Sequence, residues 1–188
     1  MGDDVATLRA EVESLRRAVA RLEAKEEAVA VFNRYLYSLD LDRADELLAC
    51  FAPDAVLHVI NFPPGTQDDL HLHGPDEIRP LYDRHAGGAT PSIQGGHHSA
   101  NRGIDVAPDG ASAQISAYFM TSVGGRGWVQ GGQYQVRVER RTDGWRIVEM
   151  NIISGWGWSV AEPRAITAAV PAERAWREGR PVTYTPTV

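Results

Sequence analysis

Three consecutive segments in the second half of the chain alternate apolar and polar residues with a period of two. Ala113, Ile115, Ala117 and Phe119 alternate with Gln114, Ser116 and Tyr118. In 128–140, Tyr134, Val136 and Val138 alternate with Gln133, Gln135 and Arg137, and 145–153 makes a further strand. A period of two is that of a strand with one buried and one wet face. Asp143-Gly144, between the last two segments, is a strong signal for a tight hairpin. These segments therefore predict consecutive antiparallel strands whose apolar faces all lie on one side. Something else must cover that side, and the first half of the chain supplies helices for it. The pattern predicts an α+β domain with helices over one face of a curved antiparallel sheet.

No Gly or Pro interrupts the helical pattern between the first residues and Asp40. Val5, Leu8, Val12, Leu15, Val19 and Leu22 recur at steps of three and four, among Arg, Glu and Ala. That is a heptad stripe with Val at a and Leu at d. So narrow a stripe buries itself only against another helix, which predicts a homo-oligomer, dimer or trimer, through residues 1–24. The alternative is a long amphipathic helix lying on its own domain. From about residue 26 the apolar face widens (Val29, Phe32, Leu36, Leu39), as for a helix packed on a sheet. Residues 44–51 form a second short helix with Asp40 or Asp42 as its N-cap, and Pro53-Asp54 makes a turn before a first strand at 55–60. Asn61 to His73 is expected to be a polar loop, and Gly74-Pro75 starts a third helix running to about Arg84. A Gly/Pro-rich loop over 87–96 leads into a strand carrying His97 and His98. The expected domain spans 25–160, followed by a tail over 161–188 with a short helix around Ala172 to Arg177.

At 188 residues, 43% hydrophobic and 23% charged, the chain has the composition of one globular domain. A net charge of −6 without a Lys/Arg cluster argues against nucleic acid or an anionic membrane as partner. No apolar run reaches membrane-spanning length, and the start lacks the apolar core of a signal peptide, so a cytoplasmic location is expected. The single cysteine, Cys50, sits in an apolar helical run and is expected to be a small core residue. His58, His71 and His73 lack a third ligand at a convincing spacing, so no metal is expected. Phosphate-cradling, dinucleotide and serine-elbow motifs are absent, and no cofactor is expected.

Gln94-Gly95-Gly96-His97-His98-Ser99-Ala100-Asn101 is the stretch most suggestive of chemistry. Strict alternation puts His97 on one face with Ser99 and Asn101, and His98 on the other with Ala100, Ile104 and Val106. Imidazole is the natural proton-transfer group near neutral pH. The order of elements resembles the SnoaL-like branch of the cone-shaped NTF2-like superfamily over about residues 25–158. The matching pieces are Tyr35-Leu36-Tyr37-Ser38-Leu39-Asp40, Leu47 to Ala55, the His97-x-x-x-Asn101 pattern and Asp143 to Ile147. In that branch, dehydratases and a dehydrochlorinase pair an aspartate ending the first long helix with a histidine from a sheet strand. The resemblance implies that Asp40 and His97 meet inside the cone and that Tyr35 assists them. It departs in one place: where those dehydratases carry a second histidine or acid, this chain has Tyr118-Phe119-Met120.

A carboxylate beside an imidazole fixes its tautomer, leaving the far nitrogen to take a proton from carbon. The expected pocket is lined by Phe32, Leu36, Phe119, Trp128, Tyr134, Met150, Trp156 and Trp158, which suits a hydrophobic, ring-bearing small molecule such as a polyketide, terpenoid or steroid-like compound. The implied activity is that of a dehydratase-type lyase, with an isomerase or cyclase as neighbouring chemistry. A non-catalytic binder or assembly module is the reading of another class.

Overall fold

The structure is a computed structural model that describes residues 2–61, 69–86, 96–123 and 128–159. The tail with its expected helix, most of the 87–96 loop, and the side chains of Trp128 and Trp158 lie outside the described residues.

The first helix, α1 (Gly2–Asp40), runs unbroken for 39 residues. It ends in a backbone arrangement that decides the fate of two aspartates. The Arg43 N–H donates to Ser38 O at 2.8 Å and the Asp42 N–H to Leu39 O at 3.3 Å, while Asp42 takes a left-handed φ of 54°. This is a Schellman closure with Asp42 in the place glycine usually fills. The following helix, α2 (Ala44–Leu48), is therefore capped by Arg43 without a side-chain hydrogen bond. Neither Asp40 nor Asp42 caps it, contrary to expectation: Asp42 serves the closure of α1, and the Asp40 carboxylate reaches elsewhere.

The next strand, β1 (Phe51–Ile60), starts four residues earlier than expected and takes in Pro53 and Asp54. Its pairing with the last strand is irregular between Phe51 and Val56, and a proline with no N–H to offer fits such a break in the ladder. Part of the expected polar loop is a short strand, β2 (Leu70–His73), leading into α3 (Gly74–Ala86). Then follow β3 (Gly96–Val106), β4 (Ser112–Val123), β5 (Trp128–Arg141) and β6 (Gly144–Ser159). The six strands form one sheet in the order β2-β1-β6-β5-β4-β3. Neighbours are antiparallel except β1, which runs parallel to β6.

The C-terminal half of α1 lies across the concave face. Phe32 meets Tyr134 edge-on at 5.5 Å, and Tyr35 meets Phe51 at 5.7 Å. Facing them are Ala113, Ile115, Ala117 and Phe119 of β4, Val136 and Val138 of β5, and Ile147 and Met150 of β6, all buried. Cys50 is buried here too, as expected, its thiol pushed up to about 11 by burial. Glu27 pins the helix where it reaches the sheet, accepting from Trp145 Nε1 at 2.5 Å and Arg140 at 3.1 Å.

Bulges in β3 and β6 change which residues face inwards. In β3 the register shifts between Ala100 and Gly103, and Asn101 adopts a left-handed φ of 51°. The extra residue resets the alternation. Ile104 and Val106 pair with the inner residues Ile115 and Ala113, whereas His98 and Ala100 pair with the exposed Met120 and Tyr118. The expected common face for His98, Ile104 and Val106 is thus broken, and Asn101 lies exposed at the bulge. In β6, Gly131 pairs with Trp156 but its neighbour Gly132 pairs with Ser154, leaving Gly155 as the extra residue. Trp156 is thereby turned to the outer face, where it is 44% exposed.

Candidate active site

Asp40, the last residue of α1, and His97, near the start of the edge strand β3, meet side chain to side chain. His97 Nδ1 lies 2.6 Å from Asp40 Oδ1. The backbone N–H of His97 also donates to both carboxylate oxygens, at 3.1 and 3.0 Å. One carboxylate therefore orients the ring and anchors the strand that carries it. Gly96 lies against it, where a Cβ would make ordinary contact at 3.4 Å from Asp40 Oδ2. With the carboxylate accepting from Nδ1–H, the tautomer is set and Nε2 holds the lone pair. The two side chains are 26% and 21% exposed, so they are sheltered but reachable. Burial works against the Asp40 charge. The hydrogen bonds from the His97 ring and backbone, with the electrostatic pull of His97 and His98, outweigh it and hold the carboxyl below its ordinary 3.8.

Tyr35 is placed one step behind this pair. It is fully buried, and its hydroxyl lies 2.8 Å from that of Tyr82 on α3. Burial first, then the neighbouring Tyr82, keeps the Tyr35 phenol protonated far above its usual range. Tyr82 and Tyr134 are raised by burial as well. These phenols are hydrogen-bond donors and not bases. Tyr82 escaped the sequence reading, although Ile78 and Tyr82, four apart, are the buried pair on α3.

The expected lining residues separate by depth. Thr121 pairs with His97, Phe119 with Ser99, Tyr134 with Ala117, and Met150 with Val136 opposite Ile115. At about 3.3 Å per residue, Phe119 lies roughly 7 Å along the strands from the His97 row, Tyr134 roughly 13 Å and Met150 roughly 20 Å. Phe119, Tyr134, Phe32 and Leu36 are all buried, and Phe119 tilts against Tyr134 at 4.7 Å. Met150 belongs to the packed core beneath them. Trp156 lies on the other side of the sheet, over Gly131, where a Cβ would come within about 2.5 Å of its ring.

One group on this face was not singled out in the sequence. Ser154, which follows Met150 and Ile152 in unbroken alternation, is 2% exposed, and its hydroxyl has no hydrogen-bond partner among the described residues. An unpaired buried hydroxyl is costly, about 1–3 kcal/mol. Ser154 pairs with Gly132, which in turn faces Phe119, so it stands in the same row of the concave face. No group of three metal-binding side chains occurs among the described residues.

An α+β domain with a curled sheet and an Asp–His pair at the end of its first long helix is the class that fold and site define together. A model of the SnoaL-like domain matches residues 20–151, and the chain belongs to that family. No curated protein matches. Among solved structures, a candidate scytalone dehydratase from Novosphingobium aromaticivorans is similar at 16% identity, covering 76% of this chain and 91% of its own, with a TM-score of 0.63. LinA is similar at 13% identity, with 77% and 95% covered and a TM-score of 0.62. An NTF2-like protein of unknown function from Pseudomonas putida follows at 17%, 72% and 89%, and 0.58. At such identities the likeness is one of fold. No helix among the described residues is long and apolar enough to cross a membrane.

Proposed function

We propose that this protein is a cofactor-independent acid–base enzyme, a dehydratase-type lyase acting on a hydrophobic, ring-bearing small molecule. The observation that carries the reading is the 2.6 Å contact between His97 Nδ1 and Asp40, which leaves Nε2 free as a base. In the elimination, Nε2 takes a proton from a carbon next to an electron-withdrawing group. The C–H electron pair becomes the new double bond, the C–O bond on the adjacent carbon breaks, and the departing hydroxide takes a proton to leave as water. The imidazolium just formed is the proton source at hand, and Asp40 stabilises it while it lasts. Tyr35, held by Tyr82, supports the pair from beneath as a neutral donor. The orphan hydroxyl of Ser154 offers a hydrogen bond to a substrate oxygen, and Phe32, Leu36, Phe119 and Tyr134 offer an apolar bed for a ring system. Fold likeness to a candidate scytalone dehydratase and to LinA supports the choice of class.

The inner side chains of β4 near His97 are Phe119 and Thr121, neither of them a second acid or base at neutral pH. That observation favours isomerisation as the second reading, because a single imidazole can remove a proton and return it to another carbon. The two divide by product: elimination lowers the substrate mass by one water and isomerisation leaves it unchanged. The experiment uses the parent, Asp40→Asn and His97→Ala with a panel of hydroxylated polycyclic compounds. Turnover is expected to fall by about 10²–10⁴-fold in both variants while ligand affinity is retained. Equal turnover in all three proteins, or binding without conversion in the parent, would overturn the enzyme reading and leave a small-molecule binder.

A further inference from the structure

We infer that residues 4–23 of α1 form one strand of a parallel, in-register, two-stranded coiled coil with a second copy of this chain. Every side chain from Asp4 to Glu23 is exposed. Among them Val5, Leu8, Val12, Leu15, Val19 and Leu22 are 45–66% exposed, a continuous apolar seam about 26 Å long at 1.5 Å per residue. The seam cannot be folded back onto its own domain without breaking the helix. The face of α1 that meets the sheet begins with Ala24 and Ala28, both fully buried. Val19 and Ala28 are nine residues apart, about 900° of rotation, which leaves them on opposite sides of one rigid helix. The seam thus points away from the core.

The charges beside the seam choose the partner and its direction. With Val5, Val12 and Val19 at a and Leu8, Leu15 and Leu22 at d, Asp4 and Glu11 fall at g, and Arg9 and Arg16 at e. In a parallel pair each g residue faces the e residue five positions on in the other helix. Asp4 then meets Arg9 of the second copy, and Glu11 meets its Arg16, twice over by symmetry. An antiparallel pair instead brings e against e, setting Arg9 beside Arg16. Arg16 rests on Glu13 at 2.8 Å, an exposed i,i+3 pair that is easily exchanged. Val at a with Leu at d selects two strands.

The test is light scattering on the full 20.6 kDa chain at tens of micromolar, with Leu8→Asp/Leu15→Asp/Leu22→Asp alongside. The parent is expected at twice the chain mass and the triple variant at half the parent's value. Glu11→Arg should shift the parent towards monomer, and Glu11→Arg/Arg16→Glu should restore the dimer. Because the one natural cysteine, Cys50, is buried, Val12→Cys gives a clean probe of direction. Mild oxidation should convert it to a covalent dimer, since a residues face each other only in a parallel, in-register pair. A monomeric or trimeric parent, a triple variant of unchanged mass, or a dimer in which Val12→Cys does not cross-link would each overturn the inference. Should the triple variant fail to fold, the charge swap and the cross-link decide alone.

Discussion

The two halves of α1 are one continuous helix with opposite relations to the rest of the chain. From Ala24 to Asp40 the helix is held at many points. Phe32 and Tyr35 insert among the aromatics of the sheet, Glu27 ties to Trp145 and Arg140, Asn33 accepts from Arg102 at 2.7 Å, and Asp40 closes on His97. From Asp4 to Glu23 the side chains are all exposed, the seam included. Both halves are apolar at helical spacing, and what separates them is the width of the apolar face. A broad face can lie on a curved sheet, and a two-position stripe cannot. The difference also locates function, because the held half ends at the candidate active site and the free half has no contact with it.

If that contrast is right, the largest stability loss on α1 comes from truncation in the held half. Phe32→Ala removes a fully buried ring that packs edge-on against Tyr134. It is expected to cost about 3–5 kcal/mol in denaturant unfolding, and a loss below 1 kcal/mol would show that the helix is not part of the core. Tyr35→Phe keeps the ring and deletes only the hydroxyl. It leaves the Tyr82 hydroxyl buried without the partner it has at 2.8 Å, so about 1–3 kcal/mol is expected. No measurable change would mean that Tyr82 finds another partner at once.

The Asp40–His97 pair has a signature in pH. The folded pKa of Asp40 is depressed below 3.8, so its contribution to stability is fully present above that ordinary value and fades as pH falls through the lower, folded one. The stability gap between the parent and Asp40→Asn should therefore persist at pH 5 and close only below about pH 4. A gap already closed at pH 5 would mean that the carboxylate is not hydrogen-bonded as described.

How much of this could be read beforehand depends on whether local pattern or chain register decided it. The alternation in β4 and β5, the Asp143-Gly144 turn and the long helix are local, and the structure has them where the periodicity placed them. The Asp40–His97 contact joins groups 57 residues apart, and nothing local announces it; it was legible only through the likeness to related chains. What alternation misread sits at the bulges. One extra residue at Asn101 put Ile104 and Val106 on the side of His97, and one at Gly155 turned Trp156 off the concave face. A period-two reading carries straight through such a residue and assigns every later side chain to the wrong side. The glycines around Trp156 and the αL-tolerant Asn101 were the visible signs. β2 escaped for another reason: at four residues, Leu70–His73 is too short and too polar for periodicity to show.

The smallest expected effect is the sharpest discriminator of the two halves. Leu15→Ala truncates the most exposed residue of the seam, 66% open to solvent. Leucine is as large an apolar side chain as most in the core, so its type predicts a loss of several kcal/mol if it packs on its own domain. Its position predicts otherwise. With little packing among the described residues to lose and alanine the better helix former, unfolding of the domain in dilute solution should stay within about 0.5 kcal/mol of the parent. At high concentration the same variant should weaken self-association, because there the leucine has something to pack against. Comparing its unfolding midpoint at sub-micromolar and at tens of micromolar protein separates the two roles within one protein. A loss of 2 kcal/mol or more in the dilute arm would place the seam on the domain and erase the contrast between the halves.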